Sequence, residues 1–443
     1  MSTARKVAIL NLNDTRRDPR VLRTARSLRA RNFDVWVHHL VSDAPGRETT
    51  ADGLPLLRID VPSDYSDMAM AQLAAESPLA GEIIEQAHPA VMSLDRARGL
   101  RRLIDEAQEQ VNSLRCLLGG KKGPRRRLED EIAAIRSIAV INLAIFRDVS
   151  KLAPDIVFCN DLDTLLAGVM LKEACGARLI YDAHEIYPEQ LSNEMRSQFW
   201  RNYYHRLEGL LAPRSDGIMT VCDTIGTYLS QVHGASGAQT VLNVPDSSLQ
   251  VEPSLLERRN SPRRVLYHGA YYPYRGLDEI IAAIPLVEHA VFEFRGVGGY
   301  ETNLQKKADA LGLGGRLVFR SPEPVLRLIP AASNCDIGLS PFVNSCLNTE
   351  AALPNKIFEY MMAGLATASS DLPEMRALTR RERTGTLFGD LSPRTIADAL
   401  NTMLADEGEL DASRRRAWEA AHTRYNWREE EPIFLRFFEN AVA

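Results

Sequence analysis

Short runs of apolar residues alternate with segments whose apolar residues recur at helical spacing through most of the chain. Such runs are typical of buried strands, and their alternation with helices predicts repeated βαβ units whose parallel sheets are covered on both faces. The runs are Val7–Leu10, Val35–Val37, Ile156–Cys159, Leu179–Tyr181, Ile218–Val221, Val265–Tyr267, Val291–Phe294, Leu317–Phe319, Ile337–Leu339 and Ala366–Ser369. The sequence therefore predicts an α/β fold.

This pattern occurs twice, before and after a segment at 241–264 that is rich in Pro, Ser and charge. Because such a composition is typical of linkers, we expect a domain boundary near Pro245. A chain of 443 residues also exceeds the size at which a single core usually stops growing. We predict an N-terminal domain over 1–245, a C-terminal domain over 246–424, and a last helix over 425–443 that crosses back to the first domain.

The first half is interrupted at about 68–149, where strand patterns give way to long Ala-, Leu- and Ile-rich helical patterns broken at LLGGKKGPRRR. This indicates a helical hairpin inserted into the first domain. Its tip would carry Lys121, Lys122, Arg125, Arg126 and Arg127. Two interpretations of this basic tip stay open, contact with anionic lipid headgroups or a solvated loop.

Composition excludes several classes of protein. A net charge of −5 and a pI near 6.1 give no reason to expect binding to nucleic acid, which depends on neutralising phosphates. The six cysteines are scattered and have no histidine cluster beside them, so neither a zinc site nor a disulfide framework is indicated. The start of the chain lacks a signal-peptide core, and the longest apolar stretch, at 138–146, is too short to cross a bilayer. We expect a cytoplasmic protein without a transmembrane anchor.

The segment LPNKIFEYMMAGL, from Leu353 to Leu365, predicts a binding site, or cradle, for a nucleoside diphosphate. Pro354 suits the first helical position, and Gly364 stands where the helix would stop. The free N–H groups of such a helix favour an anion, and Lys356 would add a mobile cation beside them. Glu359 follows one turn later, within reach of ribose hydroxyls. The alternative is a core helix with an exposed Lys and Glu.

In open parallel sheets, ligands bind beyond the carboxyl ends of strands. After the first strand, Asp18 is a candidate helix cap, so Arg16, Arg17 and Arg20 would crowd a helix N-terminus; a surface basic cluster is the alternative. After the run Leu179–Tyr181 comes Asp182-Ala183-His184-Glu185. A histidine at this position is either structural or catalytic.

Two loops of the second half show similar features. Arg275 and Gly276 stand directly before a predicted helix, an arrangement that favours phosphate binding. The alternative is a simple loop before the helix. Gly296, Gly298 and Gly299 follow a strand but lack the third glycine of a dinucleotide fingerprint, so they indicate only a turn that lets a ligand approach the backbone. Glu350 and Glu359 give weak support to a paired-carboxylate hydrolase, because spacing alone does not give the separation of the carboxyl groups.

Taken together, the motifs resemble those of retaining glycosyltransferases of the GT-B fold, in the family 4 and group 1 class. The resemblance covers nearly the whole chain except the helical insert. It is carried by DPRVLRTARSL, PDIVFCNDLDTLLAG, YDAHEIYPE, NVPD, HGAYYPYRGLDEII and ALPNKIFEYMMAGLATASS. The resemblance implies two facing Rossmann-like domains, the N-terminal one for an acceptor and the C-terminal one for a nucleotide-sugar. The LPNK form of the last motif points to a subgroup.

By position, the resemblance makes Glu359 the ribose-binding acid, Arg275 the basic diphosphate ligand and His184 a residue close to the reacting centre, with Lys356 beside the phosphates. Further donor-binding candidates are Gly269, Gly296, Gly298, Arg320, Ser321, Leu353, Pro354 and Asn355. Acceptor-side candidates are Arg16, Arg17, Arg20, Asp161 and Glu185. Two positions depart from the family's pattern and leave the donor-sugar contacts open. Ala351 stands where many relatives have a second acid, with Glu350 one position before it, and Ala270 stands where they often have an arginine.

The function expected from this resemblance is transfer of a sugar from a nucleoside diphosphate to an acceptor hydroxyl with retention, in the assembly of cell-surface polysaccharide or glycolipid. The acceptor would be a saccharide, a lipid-linked sugar or a small molecule, and peripheral contact with an anionic inner membrane leaflet is one possibility. No metal or cofactor is expected if cations and helix amides stabilise the leaving diphosphate. A nucleotide-sugar epimerase of the same fold and a catalytically silent binding partner are the alternatives.

Overall fold

The computed structural model describes residues 4–40, 46–59, 63–93, 128–190, 197–235, 237–249, 251–252, 256–257 and 260–443. The chain divides into two compact units, one formed by Met1–Thr240 and Leu435–Ala443 and the other by Val241–Phe434. This division falls a few residues before the predicted boundary at Pro245. Each unit has its own sheet.

The first unit is built on an eight-stranded sheet with the order β3-β4-β2-β1-β5-β6-β7-β8. All neighbouring strands are parallel except β3 and β4, which pair antiparallel at one edge. The central strands are buried along nearly their whole length, as expected for a sheet covered on both faces. The strands are β1 Lys6–Asn11, β2 Asp34–His39, β3 Arg47–Thr49, β4 Pro55–Arg58, β5 Ile156–Asn160, β6 Arg178–Ala183, β7 Gly217–Thr220 and β8 Gln239–Thr240.

Helices connect these strands. In α1 (Pro19–Ala30) the predicted cap is confirmed, because the Asp18 carboxylate accepts the N–H groups of Arg20 and Val21. The other helices are α2 Asp67–Glu76, α3 Pro78–Ala87, α4 Pro89–Met92, α5 Leu128–Val149, α6 Leu162–Cys175, α7 Gln198–Leu211 and α8 Asp223–His233. The described part of the predicted insert is thus helical. Its basic tip, with Lys121, Lys122 and Arg125–Arg127, lies outside the described residues, so the hairpin remains a prediction.

The second unit contains a six-stranded, all-parallel sheet with the order β11-β10-β9-β12-β13-β14. Its strands are β9 Arg263–His268, β10 Ala290–Arg295, β11 Leu317–Arg320, β12 Ile337–Ser340, β13 Ala366–Ser370 and β14 Gly385–Phe388. Its helices are α9 Leu277–Ala283, α10 Glu301–Ala310, α11 Val325–Ala332, α12 Leu347–Glu350, α13 Asn355–Met362, α14 Pro373–Glu382, α15 Pro393–Ala405 and α16 Glu407–Thr423. Two apolar clusters, one on each face of the sheet, form the core.

The last helix, α17, runs from Trp427 to Val442. Its first part belongs to the second unit, and the residues from Leu435 onward belong to the first. The predicted last segment began slightly earlier, at residue 425.

All ten predicted runs form strands, and the two Rossmann-like sheets confirm the predicted fold class. No helix in the described part of the chain is both long and apolar enough to cross a bilayer. None of the five described cysteines is joined to another by a disulfide, and Cys116 lies outside the described residues.

Candidate functional site

In the second unit, the predicted cradle is built around α13. This helix begins at Asn355, and Pro354 is its N-cap residue rather than the first helical residue. The φ angle of Pro354 is −73° but its ψ angle is 140°, which is extended rather than helical. Gly364 follows the helix with a φ angle of 75°, a left-handed conformation that favours glycine, so the predicted stop is confirmed.

Lys356 is not the mobile surface cation that the sequence predicts. Its side chain is buried, and its Nζ lies 4.2 Å from the centre of the Tyr267 ring and 5.6 Å from that of Phe342. The two aromatic faces stabilise the ammonium group in place. Lys356 therefore points inward, toward the carboxyl end of β9.

Burial, which removes water from the ammonium group, and the nearby positive charge of Arg275 together lower the pKa of Lys356 to about 7. This value already includes the opposing effect of the Glu359 carboxylate. An anion arriving beside Lys356 would favour the charged form. The site is thus able to gain a positive charge when a phosphate binds.

Arg275 is exposed and precedes α9, with Gly276 as the N-cap residue. Its guanidinium carbon lies 4.9 Å from the centre of the Phe342 ring, so Phe342 is shared by Arg275 and Lys356. The sequence predicted both cations but not the aromatic ring that brings them together. Two cations on one ring form a centre suited to a polyanion.

Gly269 follows β9 with a φ angle of 135°. A Cβ atom at this position would lie 3.3 Å from the Lys356 Nζ and 3.4 Å from the Tyr267 hydroxyl. A side chain here would therefore crowd the ammonium group and is disfavoured by the backbone conformation as well. The glycine keeps the space around Lys356 open.

Gly296 and Gly298 have a different role from the predicted one. A Cβ atom on Gly296 would lie 1.9 Å from the carbonyl oxygen of Gly269, and one on Gly298 would lie 2.2 Å from that of Tyr271. The neighbouring backbone is also hydrogen-bonded here, from the Tyr271 N–H to the Val297 carbonyl. What approaches these glycines is the protein's own loop at 269–271, not an open space for a ligand.

Glu359 is half-buried and is approached from two sides. The side-chain amide of Asn355 donates to its Oε1 at 3.2 Å, and Nε2 of His268 lies 2.8 Å from its Oε2. The two contacts come from the first turn of α13 and from the end of β9. The carboxylate therefore lies at the carboxyl edge of the sheet, where ligands of this fold class bind.

The remaining donor candidates are less enclosed. Arg320 ends β11 with its side chain half exposed and its Nε 3.2 Å from Glu293 Oε2, and Ser321 is exposed. Leu353 and Pro354 are half-buried. Glu350, a candidate for paired-carboxylate chemistry, is exposed at the end of α12.

In the first unit, Arg20 does not belong to a surface basic cluster. It is almost completely buried, and its guanidinium group donates two parallel hydrogen bonds, each 2.8 Å long, to the carboxylate of Asp182 at the end of β6. Arg16 instead pairs with Asp14 near the surface. The side chain of Arg17 is outside the described part of the structure. The predicted cluster thus separates into a buried and an exposed arginine.

His184 is held between two carboxylates. Its Nε2 lies 2.9 Å from Asp182 Oδ2 and its Nδ1 lies 3.3 Å from Asp161 Oδ2, while its backbone N–H donates to Asp161 Oδ1. Burial alone would lower the pKa of His184, but Asp161 and Asp182 together raise it well above its usual value. The two carboxylates thus favour the imidazolium form of His184.

Opposite effects act on Asp182. Burial alone would raise its pKa, but Arg20 and His184 hold that pKa well below its usual range. The result is a chain of alternating charges, from Arg20 through Asp182 and His184 to Asp161. Asp161 itself has a φ angle of 62° and a ψ angle of 166°, an unfavourable backbone conformation for a residue with a side chain.

Two more carboxyl groups lie near His184. The pKa of Asp163 is raised well above its usual value by burial and by the charges of Asp161 and Glu185. Glu185 is half-buried and accepts a hydrogen bond from Gln190. Among the described residues, no group of three or more His, Cys, Asp or Glu side chains is arranged to hold a metal ion.

Tyr267, His268, Phe342 and Asp163 have no role in the predictions from the sequence. His268 is the last residue of its strand, so the rule about strand ends was a signal that could have found it. Phe342 lies in a loop after β12, and no sequence pattern connects it to Lys356.

Known protein families and structures match the chain along its length. Residues 262–406 match the family described as glycosyl transferases group 1, and residues 18–245 match the glycosyl transferase 4-like domain. No curated protein was found to match the chain by sequence.

Three similar solved structures illustrate the fold. Sucrose-phosphate synthase from Thermosynechococcus elongatus has a TM-score of 0.72 at 13% identity, and the match covers 98% of each chain. HepE from Anabaena, in complex with UDP and glucose, has a TM-score of 0.64 at 14% identity and covers 98% of this chain and 99% of its own. A glycosyltransferase from Rickettsia africae has a TM-score of 0.63 at 10% identity and covers 100% and 99%. At such identities the likeness concerns the fold.

Proposed function

The chain belongs to the group 1 glycosyltransferases, with a glycosyl transferase 4-like N-terminal domain and the GT-B fold, and from this premise we propose its reaction. It transfers a sugar from a nucleoside-diphosphate donor to an acceptor hydroxyl and retains the anomeric configuration. The bond from the anomeric carbon to the diphosphate oxygen breaks, a bond to the acceptor oxygen forms on the same face, and the acceptor's proton leaves with the diphosphate.

The observation that carries this proposal is the pair of cations on Phe342. Negative charge develops on the diphosphate as it leaves, and groups already positioned to receive that charge lower the barrier most. Arg275 and Lys356 flank one ring, and the N-terminus of α13 lies directly before Lys356 in the chain. UDP and glucose in the Anabaena neighbour support a nucleotide-sugar as the donor.

We assign His184 to the reacting sugar as a fixed cation. Both ring nitrogens face carboxylates, so the ring is poorly suited to take a proton from an acceptor hydroxyl. A positive charge held in one place can instead stabilise the charge that moves toward the leaving group. Asp161 and Glu185, with Asp163 beside them, are the candidates for contacts to acceptor hydroxyls.

The test is a transfer assay preceded by a thermal-shift panel of UDP, GDP, ADP and their sugars. A ligand at one hundred times its dissociation constant stabilises the protein by about 2.7 kcal/mol, which identifies the donor. His184→Ala and Glu359→Ala should each lower kcat/KM at least about tenfold. Unchanged turnover in both variants would contradict the assignment of the site.

The same assay separates the alternatives. A nucleotide-sugar epimerase would convert the donor without any acceptor, and a silent binding partner would bind the donor without turnover. The nature of the acceptor, whether saccharide, lipid-linked sugar or small molecule, is read from the product. Full activity in EDTA is expected from a transferase that uses cations and helix amides in place of a metal.

Cytoplasmic location and contact with anionic membranes remain part of the proposal. Co-sedimentation with vesicles containing phosphatidylglycerol, compared with neutral vesicles, tests the membrane contact directly. Replacement of Lys121, Lys122 and Arg125–Arg127 by serine should abolish any binding if the basic segment is responsible.

A further inference from the structure

His268 has a buried imidazole ring whose orientation is fixed by its neighbours. The residue ends β9, and its side chain is almost completely buried. The ring stacks on that of Tyr360, with centroids 4.5 Å apart and planes inclined by 30°. The Tyr360 hydroxyl accepts the backbone N–H of His268 and donates to the carbonyl of Leu339, so Tyr360 is itself held between two strands.

Neither ring nitrogen of His268 has an aligned hydrogen-bond partner among the described residues. This is unusual, because buried polar atoms are nearly always satisfied. The acidic group within reach is the Glu359 carboxylate, whose Oε2 lies 2.8 Å from Nε2 but off the line of a good hydrogen bond. Hydrogen bonds in a binding site often become aligned only when the ligand is present.

The other oxygen of Glu359 is already held. Asn355 donates to Oε1, so the carboxylate lies between a side chain of α13 and a side chain of β9. A carboxylate that accepts hydrogen bonds from sugar hydroxyls must keep its plane in one orientation. With His268 removed, the Asn355 amide would be the remaining hydrogen-bond donor to this carboxylate among the described side chains.

We propose that His268 is a positioning residue, which orients Glu359 toward the ribose hydroxyls of the donor. This inference rests on the proposed function, because it assumes that Glu359 binds the ribose. His268 acts only through Glu359: its Nε2–H donates to Oε2 and so leaves the free lone pairs of the carboxylate directed at the ribose. Its effect should therefore depend on whether the ligand carries ribose hydroxyls.

The experiment measures dissociation constants by calorimetry for UDP, GDP and ADP and for their 2′-deoxy and 3′-deoxy forms. For the nucleotide that binds best, the wild-type protein should prefer the ribonucleotide by at least about tenfold over a deoxy form. His268→Phe keeps an aromatic ring on Tyr360 but removes the donor. It should reduce this preference to below about threefold while leaving the affinity for the deoxy form unchanged.

Two further variants define the effect. His268→Gln keeps a donor near Glu359 and should restore most of the preference for the ribonucleotide. His422→Phe is the matched control, because His422 also stacks on an aromatic ring of the same unit, that of Trp418, with centroids 3.9 Å apart. It should leave both affinities unchanged.

The outcomes distinguish this inference from the proposed function. If Glu359→Ala abolishes the preference but His268→Phe does not, the inference is wrong and the ribose site stands. Equal weakening of ribonucleotide and deoxynucleotide by His268→Phe would show a merely structural role and would also overturn it. If the wild-type protein binds no nucleotide, or Glu359→Ala keeps the full preference, the proposed donor site itself fails.

Discussion

Arg16 and Arg20 form ion pairs of the same geometry, one near the surface and one in the interior of the first unit. Each guanidinium group donates through Nε and Nη2 to the two oxygens of one aspartate, and all four distances are 2.8 Å. The two pairs differ strongly in burial: the side chain of Arg16 is 43% exposed and that of Arg20 is 1% exposed. Replacing each arginine by methionine therefore compares an exposed pair with a buried one.

The expected costs are very different. Arg20→Met leaves the Asp182 carboxylate inside the protein with His184 as its remaining close charge partner, and removal of one partner of a buried pair costs about 3–5 kcal/mol. Arg16→Met removes a solvent-exposed pair, which contributes about 0.2–1 kcal/mol. With an m-value of about 2–3 kcal/mol/M, the urea midpoint should fall by about 1–2.5 M for Arg20→Met and by less than about 0.5 M for Arg16→Met.

The assay follows hydrogen exchange in urea on peptides that contain β5 and β6, since these strands report on the first unit. Adding Asp182→Asn to Arg20→Met removes the stranded charge, so the double variant should lose less stability than the sum of the two single variants. Similar small shifts for Arg16→Met and Arg20→Met would refute the reasoning, and so would strict additivity in the double variant.

Four other predictions concern charge and packing. In NMR titrations the His184 imidazole should stay protonated from pH 6 to 7.5, and Asp182→Asn should bring its titration back toward the usual range near 6.5. The stability that His184 contributes through its raised pKa is fully present below about pH 6.5 and is lost as the pH rises through its folded pKa. The stability that Asp182 contributes through its lowered pKa is present above about pH 4 and is lost as the pH falls through its folded pKa. The urea midpoints of the wild type and Asp182→Asn should therefore differ most between these two pH values. Because the pKa of Lys356 is about 7, binding of a nucleoside diphosphate at pH 7.5 should take up a proton, measured by calorimetry in buffers of different ionisation enthalpy, and Lys356→Met should abolish this uptake. Gly296→Ala should destabilise the second unit by about 1–3 kcal/mol in urea unfolding, because its Cβ would overlap the Gly269 carbonyl, whereas Gly299→Ala, with open space around it, should have little effect.

The strands that the sequence predicted are those with continuous apolar runs. They lie inside a sheet covered on both faces, where burial requires apolar side chains at every position. The four missed strands, β3, β4, β8 and β14, are short and partly exposed, with sequences such as RET and QT. β3, β8 and β14 are edge strands and β4 lies next to an edge, so burial did not shape their sequences.

For the candidate residues, the sequence predicted the neighbouring helices and strands but not the environment of the side chains. Lys356 and Arg20 both looked like cations at helix entrances, and both are buried. The partner of Arg20 is 162 residues away in the chain, and the Tyr267 ring beside the Lys356 ammonium group belongs to β9, whereas Lys356 belongs to α13. Local sequence gives capping and periodicity, but contacts over such separations depend on the strand order, which the pattern did not provide.

Two histidines at comparable positions in the two units show that the neighbouring groups determine what a histidine contributes. His184 follows β6 and His268 ends β9, and each has a ring nitrogen within 3 Å of a carboxylate oxygen. Two carboxylates face His184, and the nearer one is also bound by Arg20, so that ring is a charge held in place. Among the described residues, the carboxylate within reach of His268 is the half-buried one of Glu359, to which the ring can donate a hydrogen bond from Nε2. The same residue type at a strand end thus supplies positive charge in one unit and orientation of a neighbouring acid in the other.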